Sequence, residues 1–388
     1  MSIPERAPKS ILPSWDGEPI RPTRVEIDLS AVRENFLQLR AFAGPAELLP
    51  IVKADAYGHG AVPCARTLEA AGATFFGVAL TEEGIELRQA GIGARILVLG
   101  GAYGARWDLL VGEDLTPLVF RREQLEGLAA AARAQGKPAV AHLKVDTGMG
   151  RLGIPPTEII AFAEAARAQG VTLEGVATHF ANADLADSAL TERQIQQMKE
   201  VVAALAQRGL RPRFVHLANS AATVSRPEAH GSLVRPGIML YGAYPSENYR
   251  DRVRLRPALR WSTGITHVKR VPAGTPISYG SRWVAKRPST IATLPLGYAD
   301  GYPRSLTNKG EVLVRGRRVP IVGTVCMDQC MIDVTEIADA QVGEEAVLLG
   351  RQGEAEIRAD ELASWAGTIH YEIFCGIGPR VPRRFRGA

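Results

Sequence analysis

Long apolar runs are missing from this 388-residue chain. No stretch approaches the length that crosses a bilayer, and Met1 to Arg21 is polar and proline-rich without the apolar core of a secretory leader. Both absences point to the cytoplasm and exclude a membrane partner. Cysteine is scarce: Cys64, Cys326, Cys330 and Cys375 are too few for a disulfide framework. Cys326 and Cys330 stand four apart, but no second pair or nearby histidine completes a metal site, so buried reduced thiols are expected. Charge of one sign is not concentrated either. The formal charge is +5 with Lys and Arg interspersed among Asp and Glu, and no aromatic-interleaved basic stripe appears, which excludes nucleic acid. Only Arg380 to Arg386 is locally basic, and it reads as a solvated tail.

What is present is an alternation of strands and helices. Of the residues 46% are hydrophobic and 22% charged, which suits one large soluble domain and a smaller one. After Arg24–Leu29, which alternates like a strand, Ser30 is placed to cap a helix carrying Val32, Phe36, Leu37 and Leu39. Apolar runs then recur at Leu48–Val52, Phe75–Leu80, Arg95–Leu99, Leu115–Phe120, Val140–Val145, Leu173–His179, Phe214–Leu217 and Leu233–Leu240. Helical patterns such as Arg121–Gln135, Pro156–Gln169 and Ala189–Gln207 lie between most of them. Eight such units over roughly 200 residues predict a (β/α)8 TIM-type barrel. An open doubly wound sheet is the competing fold. It normally carries a glycine-rich phosphate fingerprint after its first strand, where this chain has Lys53-Ala54-Asp55-Ala56.

A barrel places functional residues at the carboxyl ends of its strands. Lys53 ends the first, Lys144 to Arg151 follow the fifth, Thr178-His179 the sixth, His216 to Ser220 the seventh, and Arg235-Pro236-Gly237-Ile238 lies on the eighth. A lysine at the end of a buried strand is half desolvated, which lowers its pKa and frees a nucleophilic amine. Such an amine can hold pyridoxal phosphate as a Schiff base; a lysine that merely snorkels to solvent is the other reading. A histidine at a strand end is equally at home as a satisfied core residue. Near residue 250 a charged link, Arg250 to Pro257, leads into short alternating segments with frequent turns, a second and mostly β domain. The expected division is a flexible tail over 1–22, a barrel over 23–255 whose first strand and helix pack partly on the second domain, and a β domain over 256–388.

The blocks V-K-A-D-A-Y-G-H-G (Val52–Gly60), H-L-K-V-D-T-G-M-G-R-L-G (His142–Gly153), T-H-F-A-N-A-D (Thr178–Asp184), A-N-S-A-A-T (Ala218–Thr223), R-P-G-I-M-L-Y-G, S-Y-G, G-Y-A-D-G and V-C-M-D-Q-C-M-I-D-V occur in this order. Together they resemble the signatures of the bacterial alanine racemases. The resemblance implies a pyridoxal phosphate isomerase that interconverts L- and D-alanine and supplies D-alanine for peptidoglycan. It implies two bases on opposite faces of the cofactor: Lys53, which carries the Schiff base, and Tyr279, contributed by the partner subunit of a homodimer with composite active sites. His179 would hydrogen-bond that tyrosine, and His216 would back Arg235 at the pyridine nitrogen. An arginine there cannot give up its proton, which weakens the cofactor as an electron sink and disfavours transamination. Tyr57, Asn219, Ser220, Gly237 and Ile238 would surround the phosphate end, and Arg151 and Met327 the substrate carboxylate. Lys144, where the family carries a carbamylated lysine, Asp328 and Tyr298 would support the site, with Asp184 and Arg304 near its entrance. A barrel-type decarboxylase would not be expected to combine the S-Y-G and C-M-D-Q-C blocks, and a pyridoxal phosphate carrier protein would lack the second domain. Racemisation of another or a broader set of amino acids, such as serine, stays open.

One departure bears on that choice. Many members carry a tyrosine, touching phosphate and narrowing the pocket mouth, where this chain has Pro379 before Arg380-Val381-Pro382-Arg383. A looser mouth should admit side chains larger than methyl. The ratio of kcat/KM for serine to that for alanine is then expected to rise when compared with tyrosine-bearing members; a strong preference for alanine would defeat the idea.

Overall fold

The computed structural model describes residues 20–104, 106–185 and 188–387. They separate into two compact units: Leu29–Arg256, and the residues up to Asp28 joined with those from Pro257 onward.

The first unit is a ring of eight parallel strand segments, as the alternation predicts. They are β1 (Glu47–Leu48), β2 (Phe75–Val78), β3 (Arg95–Val98), β4 (Leu115–Val119), β5 (Ala139–Lys144), β6 (Val171–Ala177), β7 (Phe214–His216) and β8 (Leu233–Val234). Six of them, β2 to β7, form one continuous parallel sheet. β1 pairs with β8, and the chain beyond β1 reaches β2 through the Ile51–Gly77 bridge. The last seam is closed by Ser232 N donating to Val215 O at 2.9 Å and Arg235 N donating to Ala218 O at 3.0 Å. A Cβ on Gly77 would lie 2.5 Å from both Ile51 Cδ1 and Leu49 Cδ2, so these two side-chain ends fill the space that glycine leaves at the β1–β2 seam. β5 is buried along nearly its whole length, the pattern of a strand covered on both faces.

The helices follow their apolar spacing. Leu29–Ala43 buries Val32, Phe36, Leu39 and Ala43 at positions i, i+4, i+7 and i+11. It begins at Leu29, one residue ahead of the expected Ser30 cap. Ala189–Gln207 starts where Ser188 Oγ accepts from Thr191 N at 3.1 Å. The expected strand Leu233–Leu240 is shorter: it ends at Val234, and Ile238–Tyr241 turns as a 3-10 helix. Pro236 lacks the donor that a longer ladder would need.

The second unit is built on a seven-stranded sheet ordered Arg317–Pro320, Glu311–Val314, Glu345–Gln352, Leu259–Gly264, Arg24–Asp28 and Arg383–Arg386, with Ala355–Ile357 paired to Glu345–Gln352 off that path. Arg24–Asp28 thus lies between a strand from the start and one from the end of this unit, antiparallel to the first and parallel to the second. Its Val25 and Ile27 are fully buried while the intervening residues are not, so the period of two pins its register. The basic stretch read as a solvated tail is therefore in part an edge strand, in which Arg386 is exposed while the Arg383 guanidinium donates to the carbonyls of Ile377, Gly378 and Val381. A smaller sheet of His267–Val271, Ser289–Leu294 and Cys330–Asp333 carries the loops described below.

Candidate active site

The chain leaving β1 does not enter an ordinary helix. Ala54, Asp55, Ala56 and Tyr57 all adopt left-handed backbone, with φ of 51 to 54° and ψ of 42 to 51°. Each such residue costs roughly 1–2 kcal/mol when it is not glycine, so a run of them persists only where its surroundings hold it. Glu83 does much of that. Its Oε1 accepts from Ala54 N at 2.7 Å, and its Oε2 accepts from Ala79 N at 2.7 Å and Leu80 N at 3.1 Å, tying the residue after Lys53 to the end of β2. Asp55 Oδ1 accepts from Ala61 N at 2.7 Å. His59 Nδ1 lies 2.9 Å from Tyr57 O and 3.1 Å from Ala56 O. Both are carbonyls, so this nitrogen carries the ring proton. The His59 ring stacks on Tyr241 at 4.5 Å, and the Tyr241 hydroxyl donates to Ile51 O at 2.8 Å. Lys53, half-buried, sits at the head of this turn.

At the same end of the barrel Arg235 is buried without a carboxylate partner among the described residues. NH1 donates to His216 O at 2.7 Å and to His216 Nδ1 at 2.9 Å. NH2 donates to Thr178 O at 2.7 Å, to Leu217 O at 3.0 Å and, at 3.3 Å, to His179 Nδ1. Nε has no hydrogen bond among the described residues. Burial pulls the guanidinium down to about 10. The Lys144 amine is buried and lowered to about 7, first by desolvation and then by the charge of Arg235. His179 is held well below its ordinary value by burial and by Arg235, Lys144, Arg151 and Lys53 in turn. The fold has therefore gathered four cationic side chains around one imidazole.

Arg151 rides on a loop organised by Asp146, whose Oδ1 accepts from Gly148 N, Met149 N and Gly150 N at 2.9 to 3.1 Å. A Cβ on Gly153 would lie 2.5 Å from Asp146 N, so the two limbs of the loop touch backbone to backbone. On the other side, Ser220 Oγ accepts from Gly237 N at 2.8 Å. A Cβ on Gly237 would meet the Tyr57 hydroxyl at 2.6 Å, so the tyrosine head occupies the space glycine leaves open, beside Ile238. The Asn219 side chain caps the turn Ser220–Ser225, accepting from Ala222 N at 3.1 Å.

Tyr279, Tyr298, Met327 and Asp328 belong to the second unit, where they line an open cleft of about 990 Å³. Three loops make it. A Cβ on Gly297 would lie 2.1 Å from Cys326 O, and one on Gly323 would lie 2.7 Å from Ile277 O, so these loops meet by backbone. Ser278 has φ 66° and ψ −178°, a region nearly reserved for glycine, and Gly280 follows at φ 72°. The intervening Tyr279 is pinned: Ser278 Oγ donates to Thr324 O and Thr324 Oγ1 donates to Tyr279 O, both at 2.7 Å. Its side chain is 74% exposed. Asp328 pairs with Arg380 at 2.8 Å. The sequence had singled out each of these residues. It had not marked Glu83 or His59 as supports of the lysine turn, because their partners are backbone atoms whose unusual conformation leaves no trace in composition.

Comparison with known proteins follows the same division. Residues 27–245 match the model for "Alanine racemase, N-terminal domain" and residues 258–385 that for "Alanine racemase, C-terminal domain". The chain is 47% identical over 368 residues to the alanine racemase of Halothermothrix orenii, covering 94% of this chain and 97% of that one. It is 48% identical over 369 residues to that of Geobacter sulfurreducens, covering 94% and 97%. Among solved structures, the alanine racemase from D-cycloserine-producing Streptomyces lavendulae superposes with a TM-score of 0.91 at 40% identity, over 96% of this chain and 98% of that one. The Bacillus anthracis alanine racemase with bound L-Ala-P gives 0.89 at 39% identity, over 96% and 97%.

Removing the carboxylate that holds the lysine turn should cost stability. Glu83→Ala is expected to lower it by about 1–3 kcal/mol, since hydrogen bonds to a charged acceptor are lost, and to speed amide exchange at Ala54. Glu83→Gln, which keeps an acceptor, should lose less. Thermal melting and hydrogen exchange would show this, and an unchanged melting temperature in Glu83→Ala would mean that water replaces the carboxylate.

Proposed function

The chain belongs to the alanine racemase family, and from that membership we propose that it interconverts L- and D-alanine by two-base proton transfer with pyridoxal phosphate held on Lys53. The observation that carries this reading is the cationic group of Lys53, Lys144, Arg151 and Arg235 around His179 at the carboxyl ends of the barrel strands. Such a cluster calls for an anionic occupant, and a phosphate, a phenolic oxygen and a substrate carboxylate supply three anionic groups. Arg235 keeps Nε for an acceptor such as a pyridine nitrogen. Tyr57, Ser220, Gly237 and Ile238 would hold the phosphate, with Asn219 shaping the turn behind Ser220. When bound, the cofactor supplies a sink for electron density drawn from the substrate's Cα.

The chain's own residues do the rest. In the direction from D- to L-alanine the Lys53 amine would remove the Cα proton from one face while the phenol of the partner subunit's Tyr279 delivers one to the other, and the roles exchange in the reverse direction. Exposure of Tyr279 on a rigid turn suits a base that acts across a homodimer interface. Arg151 and the backbone of Met327 hold the substrate carboxylate, and His179 orients the tyrosine. Asp328 and Tyr298 shape the cleft from which Tyr279 projects. Among the described residues no helix is long and apolar enough to cross a membrane, and the proposed setting is the cytoplasm, where the enzyme supplies D-alanine for peptidoglycan.

Lys144 is the proposed site of carbamylation. With the amine near 7, about half is unprotonated at neutral pH, and only that form attacks carbon dioxide, giving up one proton and becoming an anion near Arg235 and Arg151. Because the pKa is depressed, the reactive fraction grows as pH rises through 7. Labelling with 13C-bicarbonate should give a carbamate signal that strengthens with pH over that window and disappears in Lys144→Ala.

Incubating the pyridoxal phosphate-loaded protein with L-alanine in heavy water tests the central claim. D-alanine with deuterium at Cα is expected. Deuterium without inversion would remove Tyr279 as the second base, and no exchange at all would remove alanine as the substrate.

A further inference from the structure

The hydrogen bonds of Arg235 do not stop at His216. A file of polar groups continues through the barrel interior toward the opposite end. His216 Nε2 lies 2.9 Å from His142 Nδ1. His142 Nε2 has no hydrogen-bond partner among the described residues, and faces Glu174 Oε2 at 3.8 Å. Glu174 is bound side by side by NH1 and NH2 of Arg95, the first residue of β3. Glu174 and Arg95 border a small cavity with Leu115, Lys137 and Pro138, residues at the starts of strands. The file therefore spans the barrel from the carboxyl to the amino ends.

Its protons can point only one way. A guanidinium donates and never accepts, so the lone pair in the Arg235–His216 contact must be on His216 Nδ1, which leaves that ring's proton on Nε2. His142 Nδ1 must then accept, and its own proton is on Nε2, directed at Glu174. Any other arrangement of neutral rings sets N–H against N–H. Burial keeps both imidazoles neutral: both are fully buried, and both are lowered by desolvation first. The His142 ring cannot turn to exchange its nitrogens. It stacks on Phe214 at 5.6 Å, meets the edge of Phe75 at 5.9 Å, and fills the space above Gly175, where a Cβ would lie 2.4 Å from Nδ1.

We propose that Glu174 is a positioning residue for Arg235: its carboxylate, 3.8 Å from His142 Nε2, favours the proton at that nitrogen by its charge and so works with Arg235 to hold the tautomers of His142 and His216, so that His216 Nδ1 stays an acceptor and draws NH1 into the orientation that leaves Nε free. This rests on the reading of Arg235 as the group facing the cofactor's pyridine nitrogen. The carboxylate is suited to the task, since the facing His142 ring and the paired Arg95 guanidinium hold it down to about 2, and it remains ionised at any working pH. The charged and titratable groups that bear on His142 are Glu174, Arg95 and Arg235, with His216 as its hydrogen-bond partner.

Glu174→Gln tests this with almost no change of shape. Arg95 can only donate, so it claims the amide oxygen, and the amide NH2 turns to His142 and demands a lone pair at Nε2. The file then reverses and sets a proton at His216 Nδ1 against Arg235. With 15N-histidine labelling of the holoenzyme, the wild type is expected to show His142 and His216 protonated at Nε2. The variant should show protonation shifted to Nδ1 in both. It should also show an altered visible absorption band of the bound cofactor and a kcat for L-alanine reduced about ten-fold with KM nearly unchanged, the size of loss seen when partners behind a functional ligand are removed. Glu174→Leu, which offers neither donor nor acceptor, should give mixed tautomers and an intermediate kcat. Unchanged tautomers in both variants would overturn the proposal, even if melting temperature or activity fell, because that pattern belongs to a merely structural ion pair. A tautomer shift with an unchanged cofactor band and unchanged kcat would overturn the link to Arg235. Should the wild type not racemise alanine at all, the functional reading fails, while the labelling experiment still decides whether Glu174 sets the tautomers.

Discussion

A guanidinium buried without a carboxylate is the constraint on which the barrel's mouth depends. Removing the charge of Arg235 from water is tolerable only because the carbonyls of Thr178, His216 and Leu217, all at the carboxyl ends of β6 and β7, converge on it. The strands stop there, and although His216 O still accepts from Thr178 N at 3.2 Å, its second lone pair is open to the guanidinium. Two histidine nitrogens complete the set, their lone pairs turned to the cation they serve. Lys144 and His179 are buried beside it, and desolvation first and the charge of Arg235 second weaken the hold of each on a proton. Burial and one cation thus act together on the neighbouring side chains.

Strain is the second organising feature, and it appears at both groups assigned to proton transfer. Lys53 heads a run of left-handed residues, and Tyr279 sits on a turn where Ser278, Gly280 and Ser281 all have positive φ. In each case specific bonds oppose relaxation, from Glu83 and His59 beyond the run and Asp55 within it in the first, and from Thr324 in the second. Backbone strain kept in place this way fixes a side chain's direction more narrowly than rotamer preference alone. For proton transfer at a single carbon, that narrowness is useful, because the barrier is sensitive to the placement of the accepting atom.

Much of the architecture was legible from the chain. The apolar runs marked β2 to β7 to within a few residues, since strands buried on both faces must be apolar throughout. Ala189–Gln207 was bounded as read, because Ser188 is a side-chain cap. The residues at strand ends stood out through their chemistry, a polar group breaking an apolar run. Less was visible where a strand is short or its partner distant. Leu233–Leu240 looked like one strand until Pro236 stopped it, and Arg383–Arg386 looked like a tail until Arg24–Asp28 paired with it.

What the sequence determined by itself was the count and order of the strand–helix units, and with them which residues reach the carboxyl end of the barrel. These follow from local periodicity and from the rule that a parallel barrel presents every strand in the same direction. What only the tertiary structure decided was conformation that no local preference favours. The left-handed course after Lys53 exists because Glu83, 29 residues beyond Ala54, holds it. The direction of the protons through His216 and His142 exists because residues 74 positions apart, both fully buried, come within 2.9 Å. Such states cost free energy locally and are stabilised by partners far along the chain, so only the closed fold could select them.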